Sequence, residues 1–107
     1  MIYQPTHPAQ ELHTEQFEND VDDGNWKWAV EAHPQWVEWL FGFVMSRGRL
    51  MTVDEIKYFI HKGVDINSKS DYIDDYEEPA ITPLGYTRKY KWRKMEENLI
   101  AAGATMY

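Results

Sequence analysis

Cysteine is absent from this chain, which removes disulfides, thiolate nucleophiles and cysteine-ligated zinc and leaves stability to packing. Cations are scarce as well. Eleven Lys and Arg stand against eighteen Asp and Glu, a formal charge of −7, and that balance opposes general affinity for nucleic acid or an anionic membrane, because binding to phosphate needs cations. No apolar run approaches the ~20 residues of a membrane-spanning helix; the longest, "WLFGFVM", covers 39–45. The amino terminus, "MIYQPTHPAQELHTEQFENDVDD", has neither the basic n-region nor the apolar h-region of a signal peptide. These absences predict a soluble, cytoplasmic protein with no membrane segment, whose protein partner is basic.

What is present suffices for one compact domain: 107 residues, 43% hydrophobic and 15% aromatic. Five Trp, seven Tyr and four Phe exceed what a core this small needs, which points some of them toward a binding surface. Residues 1–24 read as a polar lead segment, broken by Pro5 and Pro8 and closed by an acidic turn, "ENDVDDG". Residues 25–107 read as a single helical domain. "NWKWAVEAH" forms a short helix with Trp26, Ala29 and Val30 on one side, and Pro34 ends it or starts the next. In "PQWVEWLFGFVMSRG", Trp36, Val37, Leu40, Phe41, Val44 and Met45 recur at spacings of three and four up to Gly48. A helix so widely apolar must be covered on two sides.

Thr52 followed by Glu55 is a capping box, so a third helix runs from about 52 to 62 with Val53, Ile56, Phe59 and Ile60 as its stripe and Gly63 as its stop. Thr82 is an N-cap and Pro83 a first helical residue. Leu84, Tyr86, Thr87 and Tyr90 continue that helix. A last one spans about 93–102, with Met95, Leu99 and Ile100 inward and Gly103 after it.

"TPLGYTRKYKWRKMEENLIAAGA" at 82–104 resembles the ankyrin-repeat phrase that opens Thr-Pro-Leu and closes in a Gly-Ala ending, and "FIHKGVDINSKSD" resembles the ending of a preceding repeat, with Gly63, Asp65 and Asn67 at the family's Gly, Asp and Asn. The departures are specific. Gly85 and Thr87 stand where the family has His and Ala, Arg88 replaces a second Ala, and Lys91 replaces the Gly between the helices. The resemblance covers about 36–107 as two repeats and implies an all-α, ankyrin-like stack of helix-turn-helix units. Because such units bury their faces only against neighbours, two of them need a cap, and the Trp26 and Trp28 segment is expected to supply it. Trp36, Trp39 and Phe41 are then core residues. The family's spacing also makes "DYIDDYEEPA" an extended acidic finger loop between repeats, where members of the family bind partners.

Few groups suggest catalysis or metal binding. His7, His13, His33 and His61 lack the i, i+4 pairing of a zinc helix. In "NDVDDG" the third ligand position of a calcium loop falls on Val21, which cannot coordinate. Ser46, Ser68 and Ser70 lack a nucleophile elbow, and no glycine cluster cradles a phosphate. The carboxylate pairs Asp74–Asp75 and Glu77–Glu78 have nothing to split their pKa values. We therefore expect no enzyme, no metal and no cofactor.

The expected partner-binding residues are Asp71, Tyr72, Ile73, Asp74, Asp75, Tyr76, Glu77 and Glu78, which join aromatic area to steering charge. A second contact patch is Arg88, Lys89, Tyr90, Lys91 and Trp92, within "RKYKWRK" at 88–94. The functional expectation is a small inhibitor or adaptor, of the immunity-protein or phage-inhibitor kind, that docks on a basic protein surface. The alternative is a nucleic-acid-related module, either an acidic mimic of DNA or a weak binder through 88–94.

Overall fold

Helices alone build the described part of the chain. The computed structural model describes residues 14–69 and 81–107, and these form six α-helices and no strand: α1 Glu15–Asp22, α2 Lys27–Ala32, α3 Val37–Ser46 after a single 3₁₀ turn at Pro34–Trp36, α4 Val53–His61, α5 Pro83–Lys89 and α6 Arg93–Ala101. The protein is all-α over these residues. None of these helices is long and apolar enough to cross a membrane.

The acidic stretch expected to be a turn is instead helical as far as Asp22. The Thr14 hydroxyl caps α1 by accepting the Phe17 N–H at 3.1 Å, and Phe17 and Val21, one turn apart, bury completely. Carboxylates at Glu15 and Glu18 suit the positive end of the helix dipole. Phe17 packs on Trp39 and Phe43 of α3 and meets Trp28 of α2 edge-on, with ring centroids 6.1, 5.0 and 6.2 Å away. At the other end of α1, Arg47 grips Asp22 through two hydrogen bonds of 3.0 and 2.6 Å. That contact holds the Asp22 carboxyl below its usual pKa.

Trp26, Ala29 and Val30 bury from α2, and Val37, Leu40, Phe41, Val44 and Met45 from α3, matching the spacing in the sequence. Trp26 is fully buried and stacks on Phe59 of α4 at 4.5 Å. Trp36 departs from the expected stripe: it lies in the 3₁₀ turn, half-buried, and stacks on His33 at 4.7 Å. The Thr52–Glu55 capping box is present in full, with bonds of 3.1 and 3.0 Å. Ile100, expected inward, is 49% exposed, because Met95 and Leu99 already fill the side of α6 that meets the core.

One structural unit recurs at a separation of forty residues. α4 and α6 have nine residues each, beginning at Val53 and Arg93. Both end on a left-handed glycine, Gly63 at φ 110° and Gly103 at φ 115°, where a side chain would be strained. The bonds that close them correspond one to one. Gly63 N–H reaches Ile60 C=O as Gly103 reaches Ile100, and Val64 N–H reaches Phe59 as Ala104 reaches Leu99, the double closure of a Schellman-type C-cap.

The two units are tied to each other directly. Asn67 Oδ1, in the chain leaving α4, accepts the Thr105 and Met106 N–H groups in the chain leaving α6, at 2.8 and 3.1 Å. Asn98 of α6 donates to the Met51 carbonyl before α4 at 2.8 Å. α6 packs on α4 and on α5, and a single apolar cluster runs from Phe17 to Ala104.

Candidate functional site

The second half of the chain folds back on itself at 88–93, inside the stretch marked in the sequence by alternating cations and rings. Thr82 accepts the Gly85 N–H at 3.1 Å and Pro83 opens α5. The Thr87 hydroxyl, buried, donates to the Leu84 carbonyl at 2.8 Å. Thr87 C=O then accepts the Trp92 N–H at 2.8 Å. To make this reversal Lys91 takes φ 60°, a left-handed backbone that costs an ordinary L-residue roughly 1–2 kcal/mol. Arg88 and Lys89 end α5, Tyr90 is its C-cap, and Trp92 is the N-cap of α6.

Three rings gather at this turn. Tyr90 and Trp92 stack at 5.4 Å with 27° between their planes, and Tyr86 closes the triangle at 4.9 and 5.4 Å. Tyr86 is buried, and burial first, with the charge of a deprotonated Tyr90 second, pushes its hydroxyl up to about 12. Tyr90 is 43% exposed and presents its ring to solvent.

The structure thus brings Tyr90 and Trp92 together and turns Arg88, still exposed, toward the carboxyl terminus and α6. The Arg88 guanidinium lies 3.8 Å above the Tyr107 ring and 3.8 Å from Glu96, so it joins the carboxyl terminus to α6. Lys89 lies 5.4 Å from the Tyr90 ring centroid. Lys91 and Arg93, on either side of Trp92, are exposed and have no ion pair among the described residues. The eight expected partner-binding residues, Asp71 through Glu78, lie outside the described residues.

Trp92 also faces a wall that sequence reasoning passed over. Its six-membered ring lies so close to Gly48 that a Cβ there would stand 3.5 Å from Cζ2. Between the turn after α3 and the start of α6 opens a cavity of about 260 Å³. Met45, Leu50, Trp92 and Met95 give it apolar surface, and Arg49, Arg93 and Lys94 are its charged lining. Leu50 was the available signal: an apolar residue in neither neighbouring stripe, it is 47% exposed.

Arg49 is held in place, with its guanidinium 3.3 Å from the Glu55 carboxylate and against Gly24, where a Cβ would collide with it at 2.3 Å. Lys94 pairs with Glu97 at 3.7 Å, both well exposed. No set of three or more His, Asp or Glu groups that would hold a metal occurs among the described residues. Ring faces, an apolar recess and cationic heads are chemistry for binding. Comparison with protein-family models, curated proteins and solved structures finds no match for this chain.

Proposed function

We propose that this chain is a non-catalytic binding protein of the ankyrin-repeat kind, an inhibitor or adaptor in which two degenerate repeats are capped by the amino-terminal helices and a basic protein surface is the target. The observation that carries the reading is the forty-residue recurrence of α4 and α6, with equal lengths and matching C-caps and Asn67 joining one ending to the next. Units that recur at a fixed sequence separation and are tied at corresponding loops are what a repeat architecture requires. Lys91 supports it as well: it takes the left-handed conformation at the position where the family has glycine. Forty residues against the family's ~33 leave an excess of roughly seven before Thr82, and the acidic run Asp71–Glu78 occupies that stretch of sequence.

Binding through this run is tested with immobilised wild-type chain beside the quadruple reversal D74K/D75K/E77K/E78K, each presented with host extract at low and at 300 mM salt. The expected result is a basic protein retained by the wild type at low salt, released at high salt and missed by the reversed chain. Equal retention by both chains would sink the assignment.

The nucleic-acid reading has one observation in its favour, the Tyr90–Trp92 stack flanked by Lys91 and Arg93, a platform that suits unpaired bases. It predicts that the chain retards single-stranded oligonucleotides at low salt and that W92A abolishes the shift.

A further inference from the structure

We infer that the recess between Gly48–Leu50 and the start of α6 is a separate docking site, for an acidic peptide segment that inserts one bulky apolar side chain. The inference stands apart from the acidic run and from the repeat assignment, since it uses only side chains lining this recess. Its charge is the first argument. The chain carries −7 overall, yet this lining contains three cations and no carboxylate. At physiological ionic strength charges are screened beyond ~8 Å, so a short segment in contact with the lining meets chiefly Arg93, unpaired among the described residues, with Arg49 and Lys94 partly offset by Glu55 and Glu97, and not the net charge of the chain. A long polyanion also extends over the acidic remainder of the surface and is repelled by it.

Size and surface supply the second argument. A volume of about 260 Å³ lies below the roughly 300–1,000 Å³ of small-molecule sites and suits one large side chain. Leu50 is left 47% exposed beside it, and Trp92 is the residue type on which binding energy concentrates.

The cations have distinct parts. Arg49 is fixed by Glu55 and shaped by Gly24. Lys94 makes only an exposed pair with Glu97, of a kind worth little and readily exchanged. Arg93, exposed and without an ion pair among the described residues, is the anchor for the peptide carboxylates. Its position at the first residue of α6 does not depend on that charge, so reversing it leaves the helix intact.

The test is fluorescence anisotropy with labelled peptides on the full chain: an acidic peptide with a central Phe, the same peptide with Ala in its place, its Lys-reversed counterpart, and a single-stranded oligonucleotide of equal length. The Phe-containing acidic peptide is expected to bind best. R93E should weaken it about tenfold or more, L50A should weaken it severalfold while leaving the Ala peptide unchanged, and the reversal at 74–78 should leave it as in wild type. Circular dichroism verifies that the variants fold. Tighter binding of the oligonucleotide, indifference to R93E or to the loss of Phe, loss of binding in the 74–78 reversal, or no saturation up to millimolar peptide would each overturn the proposal.

Discussion

Tyr58 shows how one side chain sets a pH limit. It extends from α4, half-buried, and its hydroxyl donates to Glu31 Oε1 at 2.5 Å. Lys62 reaches the same Glu31 oxygen at 3.3 Å, and the Lys27 and Lys62 ammonium groups lie 5.0 and 5.5 Å from the Tyr58 ring centroid. Desolvation first, and the bond to Glu31 second, push the Tyr58 hydroxyl from 10.0 up to about 12. The same bond holds the Glu31 carboxyl below its ordinary value, aided by Lys62. A raised pKa means that the folded state keeps its proton where the unfolded chain has released it. The resulting stability is whole below pH ~10 and is lost as pH climbs toward ~12. Tyr86 adds a second contribution of the same sign. Urea denaturation at pH 8 and pH 11 should therefore show a smaller alkaline loss in Y58F than in wild type, the comparison cancelling the lysines that titrate in both. At pH 8 the variant should be less stable by about 1 kcal/mol, the value of one hydrogen bond. Identical alkaline losses would show that Tyr58 is not the source.

Helices and their ends carry most of what the sequence makes legible. Apolar spacing located α3, α4 and α6, and the Thr52–Glu55 and Thr82–Pro83 phrases mark the starts of α4 and α5, because caps act through residues three apart and need no distant partner. α1 was hidden by the same logic: its Asp and Glu read as a turn, while Phe17 and Val21, only two apolar residues, are too few for a visible stripe. Their burial depends on rings contributed by Trp28, Trp39 and Phe43, which no local window contains. The recess around Leu50 and Trp92 was invisible for the corresponding reason, since its two walls are some forty residues apart in the chain. The sequence marks Asn67 by its position alone, since its bonds to Thr105 and Met106 join residues almost as distant. Those bonds give an element-scale test. N67A leaves two backbone donors without their protein acceptor, but near solvent, so the expected loss is about 1 kcal/mol. Amide exchange at Thr105 and Met106 should accelerate while that of the α6 core amides changes only by the global destabilisation. Unchanged protection at both amides would mean that Asn67 does not hold together the segments that leave α4 and α6.

At the scale of the whole molecule the question is whether α1 belongs to the cooperative unit or merely rests on it. Phe17 is 1% exposed and Val21 wholly buried, in the same apolar cluster that continues through Trp26, Phe41 and Phe59 to Leu99. Arg47 fastens the far end of α1 to α3 through Asp22, with Glu18 at 3.6 Å as a further partner. That ion pair is exposed and contributes little by itself, so the coupling rests on the rings. Removing the Phe17 ring leaves a cavity bordered by Trp39 and Phe43, and such a change in a core costs roughly 3–5 kcal/mol. Against the 5–15 kcal/mol typical of a domain, that is a large fraction of the total. F17A should therefore lower the midpoint of one transition, seen identically by tryptophan fluorescence, which includes Trp28 and Trp39 beside the ring among the five tryptophans, and by helical circular dichroism, which also reports on α5 and α6. If α1 were only a lead segment, the fluorescence of the neighbouring tryptophans would change at low urea while the dichroic transition kept its wild-type midpoint. Coincident transitions, both shifted down, would place residues 15–22 inside the folding unit, with α1 as part of the cooperative core and not a segment resting on it.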